Sequence, residues 1–210
     1  MMKNLQITPN FISPEDSQTF SNYITKHKYS SRFDTHTGLA HGRGEATRAI
    51  IPEKSDPKLH YELKEIIDKY ANLFMDKVSN LYSDESYFYG LSITRLTPGV
   101  QLRIHQDIHT SDANLNHSAV MYLNDDWEGG EITFLDEFTP VSRFDIYTDD
   151  MNGYVYKPSA GDLYLFPANA WHGGREITAG QRDAIVLWST SSKDNEFSWS
   201  KEYTNFIKDY

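Results

Sequence analysis

Apolar positions along the chain change their period near residue 87. Before it, Leu59, Leu63, Ile66, Ile67, Tyr70, Leu73, Phe74, Val78 and Leu81 recur at helical spacing. They predict one long helix, opened by Asp56-Pro57, that buries a broad stripe against a sheet. An earlier helix is predicted from Ser13-Pro14-Glu15-Asp16 to about residue 26. Serine caps free N–H groups, proline suits the first helical position and the acids complement the dipole. Residues 29–47, rich in Ser, Gly, His and Thr, show neither period and read as a long surface loop. With His36, Thr37, His41 and Arg43 in it and Arg48 beside it, that loop is a candidate lid over a substrate.

After residue 87 the texture is short and β-prone, with runs at 87–96, 100–104, 118–123, 131–135, 153–156, 162–166 and 182–189. Turn signals at Thr97-Pro98-Gly99, Gly129-Gly130 and Ala160-Gly161-Asp162 separate several of them. Strands at that spacing predict a sandwich or jelly roll rather than alternating β-α units. Residues 197–210 are compatible with a short helix or an ordered tail.

Composition narrows the picture. A chain of 210 residues, 39% hydrophobic and 14% aromatic, is long enough for one substantial core and short for two. A single domain is expected, with residues 1–86 supplying supporting helices and the loop, 87–190 the core and 191–210 a tail. The formal charge of −10 disfavours nucleic acid and anionic membranes as partners. With no cysteine, any metal must be held by imidazole and carboxylate. Residues 1–11 lack the features of a signal peptide and no apolar run reaches membrane-spanning length, so a cytoplasmic location is expected. Oligomeric state is open.

The chemistry concentrates in two segments. In Arg103-Ile104-His105-Gln106-Asp107 an extended chain turns His105 and Asp107 to one side, so that both can reach one ion. Ala170-Trp171-His172-Gly173-Gly174 offers a third ligand, His172. Two histidines and one carboxylate leave positions open on an octahedral ion, as in non-haem Fe(II) oxygenases. Arg182 opens the apolar strand that follows. A guanidinium there is costly unless it meets an anion, either an internal carboxylate or a ligand. His109 and His117 read as loop histidines, Thr133 as a pocket residue and 145–152 as an exposed acidic turn.

The pattern His105-x-Asp107, Tyr122-Leu123-Asn124, Gly129-Gly130-Glu131-x-Thr133-Phe134, Pro158-x-x-Gly161-Asp162, Phe166, His172 and Gly180-x-Arg182 resembles the prolyl 4-hydroxylase-like branch of the 2-oxoglutarate and Fe(II)-dependent dioxygenases. It covers roughly residues 90–190. The resemblance implies a mainly β fold with flanking helices, a double-stranded β-helix (a distorted, cupin-like jelly roll). It implies Fe(2+) on His105, Asp107 and His172, and 2-oxoglutarate bound through Arg182 with Tyr122 as hydroxyl donor. O2 is the oxidant and ascorbate a candidate reductant. The implied reaction hydroxylates an unactivated C–H bond of a prolyl residue in a peptide or protein, releasing succinate and CO2. A free amino acid or other small molecule is the alternative substrate, and a non-catalytic ligand-binding jelly roll is the alternative from another class. Leu96 and Leu102 stand where many members carry tyrosine, so substrate identity does not transfer.

Overall fold

The computed structural model describes residues 2, 4–32, 34, 39–51, 57–109, 114–140 and 145–199. His36, Thr37, Asp56 and residues 200–210 lie outside them. Among the described residues two helices, α1 (Pro14–His27) and α2 (Lys64–Leu81), accompany thirteen strands: β1 (Gln6–Thr8), β2 (Ala40–Gly42), β3 (Ala46–Ile51), β4 (Tyr87–Leu96), β5 (Val100–His105), β6 (Leu115–Tyr122), β7 (Glu128–Gly129), β8 (Ile132–Leu135), β9 (Gly153–Tyr156), β10 (Leu163–Pro167), β11 (Trp171–Gly174), β12 (Ile177–Ala179) and β13 (Arg182–Thr190). A 3-10 helix, Pro57–Leu63, leads into α2, and a 3-10 turn, Asp107–His109, follows β5.

Strands β1-β10-β6-β13-β4-β3 form one antiparallel sheet and β2-β5-β11-β8-β9 a second, with β12 and β7 paired apart. The period of two divides the first sheet into two faces. On one face Leu91, Ile93, Ala119, Met121, Leu163, Leu165, Ile185 and Leu187 pack against Phe20 and Ile24 of α1 and Ile67, Tyr70, Phe74 and Val78 of α2. The opposite face looks at the second sheet, where Val120, Tyr122, Tyr164 and Phe166 join Ile132 and Phe134. A jelly roll with helices on one side results, as expected.

The Ser13 hydroxyl accepts from the Asp16 N–H and caps α1 as predicted. The single helix read from Pro57 onward is a 3-10 helix followed by α2, and the stripe along the two is narrower than its period suggests, since Leu59, Leu73 and Leu81 are exposed at 37–44% while Leu63, Ile67, Tyr70, Phe74 and Val78 are buried. The larger correction concerns residues 29–47, read from sequence as a surface loop. β2 pairs with β5, and β3 extends the first sheet by pairing with β4 from Ala46↔Leu96 to Ile51↔Leu91. Edge strands of three and six residues are too short and too polar at their start to announce themselves by periodicity.

Candidate active site

His105 ends β5 and faces His172 on β11 in the antiparallel register. Asp107 is not in an extended segment, contrary to the reading from sequence. The chain leaves β5 and enters the Asp107–His109 turn, which the Asp107 and Ile108 N–H groups tie to the Ala168 carbonyl at 2.9 and 3.3 Å. That turn, rather than strand alternation, brings the carboxylate back beside His105. Asp107 Oδ1 lies 3.5 Å from His105 Nε2 and Oδ2 lies 3.9 Å from His172 Nε2. Ligand atoms of all three residues fall within 4.8 Å of one another.

The histidine tautomers are set by the backbone. His105 Nδ1 is 2.8 Å from the Arg103 carbonyl and His172 Nδ1 is 3.0 Å from the Ala170 carbonyl. Two acceptors cannot share such a contact without a proton, so each Nδ1 carries the hydrogen. Each Nε2 lone pair is left for an ion. Burial, together with the neighbouring His105 ring, pushes the His172 pKa down to about 4, so this ring is neutral and ready to ligate. Burial would raise the Asp107 carboxyl, but the adjacent His172 and His105 rings outweigh it and hold that group well below the usual carboxylate range. Phe166 and Phe134 back the His172 ring at 4.8 and 6.2 Å between centroids. The donor set, two imidazoles and a carboxylate without thiolate, fits Fe(II).

The triad opens on a cavity between the two sheets. Arg182, Ala184, Val186 and Trp188, successive inward positions of β13, line it with Tyr122 and Val120 of β6, Ser92, Thr94 and Leu96 of β4, and Leu102 and Ile132 opposite. Trp188 was not singled out from sequence. Its indole N–H donates to Asp107 Oδ2 at 3.2 Å and joins the two walls through the carboxylate. Its even spacing from Arg182 was the available signal. Thr133, by contrast, faces away, and Ile132 lines the cavity in its place.

Arg182 is 5% exposed, and burial lowers its pKa. Its Nη1 donates to the Gly130 carbonyl at 2.6 Å, its Nε meets no acceptor, and its guanidinium carbon sits 5.8 Å from the Tyr122 ring centroid. The turn that brings up the Gly130 carbonyl needs glycine, with φ of 67° and 64° at Gly129 and Gly130. Among the described residues no carboxylate forms an ion pair with Arg182, so the internal salt bridge weighed from sequence is not formed. The adjacent Asp183 instead binds Arg95. Burial also raises the Tyr122 phenol, which stays protonated and able to donate. His117 lies outside the cavity, its ring 4.0 Å from that of Tyr82. The His109 side chain is outside the described residues.

The 2OG-Fe(II) oxygenase superfamily matches residues 91–190, the stretch that holds the triad, Tyr122, Arg182 and Trp188. Prolyl 3-hydroxylase 2 of Rattus norvegicus is 29% identical over 161 residues, 67% of this chain. The chain spans about a fifth of the length of that relative and of its mouse counterpart, 21% of each. Among solved structures, a prolyl hydroxylase from Trichoplax adhaerens in complex with a hypoxia inducible factor peptide fragment superposes with a TM-score of 0.65. It shares 16% identity over 91% of this chain and 86% of its own. HygX from Streptomyces hygroscopicus, with nickel, 2-oxoglutarate and hygromycin B bound, gives 0.61 at 13% identity over 90% and 83%. Residues 91–190 thus resemble a 2OG-Fe(II) oxygenase domain, and the fold is the double-stranded β-helix these structures share. Among the described residues, no helix is long and apolar enough to cross a membrane.

Proposed function

We propose that this chain is an Fe(II)- and 2-oxoglutarate-dependent hydroxylase that acts on an unactivated C–H bond, with residues 1–210 working as one catalytic unit. The observation that carries this reading is a single cavity lined both by the His105, Asp107 and His172 cluster and by the buried guanidinium of Arg182. His105 and His172 would hold Fe(II) through Nε2 and Asp107 through its carboxylate. When bound, iron supplies activation of O2 coupled to decarboxylation of 2-oxoglutarate, which yields succinate and CO2.

The chain's own residues do the positioning. Arg182 pairs with the far carboxylate of 2-oxoglutarate, with the Tyr122 hydroxyl as a second donor. Trp188 holds one oxygen of Asp107, which fixes the carboxylate plane. Leu96, Leu102, Val120, Ile132 and Val186 exclude water from the co-substrate. Hydrogen abstraction from carbon requires no protein general base.

A prolyl residue in a peptide is the substrate suggested by the relatives, among them a prolyl 3-hydroxylase and a prolyl hydroxylase solved with a peptide. A small molecule is the second reading. It is favoured by Leu96 and Leu102 in the cavity wall and by a neighbour of the same fold solved with hygromycin B. Anaerobic addition of Fe(II) and 2-oxoglutarate is expected to give a visible charge-transfer band that His105→Ala and Asp107→Ala abolish. Absence of both the band and substrate-stimulated succinate release, assayed with ascorbate present, would leave a non-catalytic ligand-binding jelly roll.

A further inference from the structure

Residues 124–130, between β6 and β8, form a strap along the chain that leads from β12 into β13, and the strap is fastened on either side of Arg182. At its start the Asn124 side-chain N–H donates to the Gln181 carbonyl at 2.8 Å, and the Asn124 side-chain oxygen accepts from the Asp183 N–H at 2.8 Å. One side chain thus holds both backbone neighbours of Arg182. At the far end Glu128 and Gly129 pair with Ala179 and Ile177, as β7 with β12. The Gly130 N–H donates to the Glu176 carbonyl at 2.9 Å, and the Gly130 carbonyl accepts from Arg182 Nη1 at 2.6 Å. Between the two ends the strap passes so close to Gly180 that a Cβ there would meet the Asp126 carbonyl.

Trp127 fills the strap from within. It is 4% exposed, its indole N–H donates to the Asn124 carbonyl at 3.0 Å, and its ring centroid lies 6.3 Å from that of Tyr122. Lys157, one residue beyond β9, closes the strap from outside. Its Nζ donates to the Trp127 carbonyl at 2.7 Å and sits 3.1 Å from the centroid of the Trp127 ring. Neither Asn124 nor Lys157 is among the residues that line the cavity.

Arginine has a long side chain with much rotamer freedom to lose on binding an anion. Fixing the peptide groups before and after Arg182, and one of its Nη atoms, removes part of that freedom before a ligand arrives. A subsite ordered in advance binds more tightly, because less ordering is left to the binding step. Resting on the oxygenase reading, in which Arg182 pairs with the far carboxylate of 2-oxoglutarate, we propose that Asn124 and Lys157 are positioning residues for that subsite. Asn124 fixes the backbone that carries the guanidinium. Lys157 fixes the strap that presents the Gly130 carbonyl to it. Both act through Arg182, so their effect falls on the far carboxylate and not on the oxo-acid end or the triad.

The test is anaerobic titration of the Fe(II)-loaded full chain, followed by the visible charge-transfer band, with 2-oxoglutarate and with 2-oxobutyrate, which keeps the oxo acid and lacks the far carboxylate. Asn124→Ala is expected to weaken 2-oxoglutarate about tenfold and to leave 2-oxobutyrate and Fe(II) affinity unchanged. In an Arg182→Met background the same substitution is expected to change 2-oxoglutarate affinity no further, since the two residues act as one unit. Lys157 is exposed, so Lys157→Gln leaves the core intact and keeps the test decisive if Asn124→Ala does not fold. It is expected to weaken 2-oxoglutarate several-fold with the same selectivity, and Lys157→Arg is expected to recover most of the loss.

Equal weakening of both ligands, or a loss that adds in full to that of Arg182→Met, would overturn the assignment. So would folded Asn124→Ala and Lys157→Gln proteins that bind 2-oxoglutarate as wild type does. A wild-type chain that binds no 2-oxoglutarate defeats the oxygenase reading itself, an outcome distinct from a wild type that binds and variants that show no selectivity.

Discussion

Arg95 and Arg182 are buried arginines on adjacent strands of the same sheet, and they meet opposite environments. The register places Asp183 opposite Arg95 and Leu96 opposite Arg182. Arg95 points to the helices, where Nε and Nη2 make a bidentate pair with Asp183 at 2.7 and 2.6 Å. Thr25 Oγ1 and the Ser21 carbonyl of α1 complete its shell at 3.0 and 3.3 Å. Arg182 points to the cavity, has one carbonyl acceptor, and leaves Nε without a partner. The first arginine is finished by the fold and the second by something outside the chain. A buried charge that the protein leaves incomplete marks a ligand site, whereas an equally buried charge with its own carboxylate marks a structural joint.

Substitutions should therefore separate the two sites. The largest stability effect is expected from Arg95→Ala, which strands the Asp183 carboxylate at 1% exposure. Breaking a buried pair costs about 3–5 kcal/mol, read as a fall in thermal midpoint with or without 2-oxoglutarate. Arg182→Met should do the reverse. It removes an uncompensated charge, so the ligand-free protein is as stable as wild type or more so, while 2-oxoglutarate binds roughly 100-fold more weakly. If Arg182→Met destabilises the ligand-free chain as Arg95→Ala does, the contrast between the two arginines collapses.

Acid should act on the triad side of the cavity. In the folded chain the His172 ring resists protonation down to about 4, against 6.5 ordinarily. Between those values only the unfolded chain takes up the proton. Stability of the iron-free protein thus falls as pH drops from about 6.5 toward 4, by up to about 3 kcal/mol. The lowered Asp107 carboxyl contributes stability that is present above 3.8 and lost only as pH falls below it, so the two windows do not overlap. Urea titrations across pH 7 to 4 measure the slope, and His172→Gln should flatten it.

Smaller effects sharpen the picture within the cavity. Trp188→Phe removes the hydrogen bond to Asp107 Oδ2 and should weaken Fe(II) binding about tenfold, with little change in 2-oxoglutarate affinity at saturating iron. Tyr122→Phe should cost about 1 kcal/mol of 2-oxoglutarate binding, a several-fold rise in KM. An effect as large as that of Arg182→Met would move the anchoring role to the phenol.

The legible parts of this molecule are those written in a strong period or a fixed motif. β4 and β9 fall on the runs 87–96 and 153–156 read from sequence, because alternating β-prone residues between turn signals admit one interpretation. β3 was hidden because its pairing with β4 is a non-local fact, and Ala46 and Thr47 by themselves read as loop. His105, Asp107 and His172 do converge, but the reason assigned to Asp107 differed. A 3-10 turn held by Ala168, 61 positions on, leaves no local signature. Arg182 posed the harder question. Sequence allowed either an internal carboxylate or a ligand, and the register of β13 against β4 gives Asp183 to Arg95 and no acid to Arg182.

The most direct test of this account is calorimetric titration of 2-oxoglutarate, under anaerobic conditions, into the Fe(II)-loaded wild-type and Arg182→Met proteins. One-to-one binding to wild type, weakened roughly 100-fold in Arg182→Met while both proteins bind Fe(II) equally, is the predicted result. Equal 2-oxoglutarate affinity in the two proteins, or no binding to wild type, would contradict it.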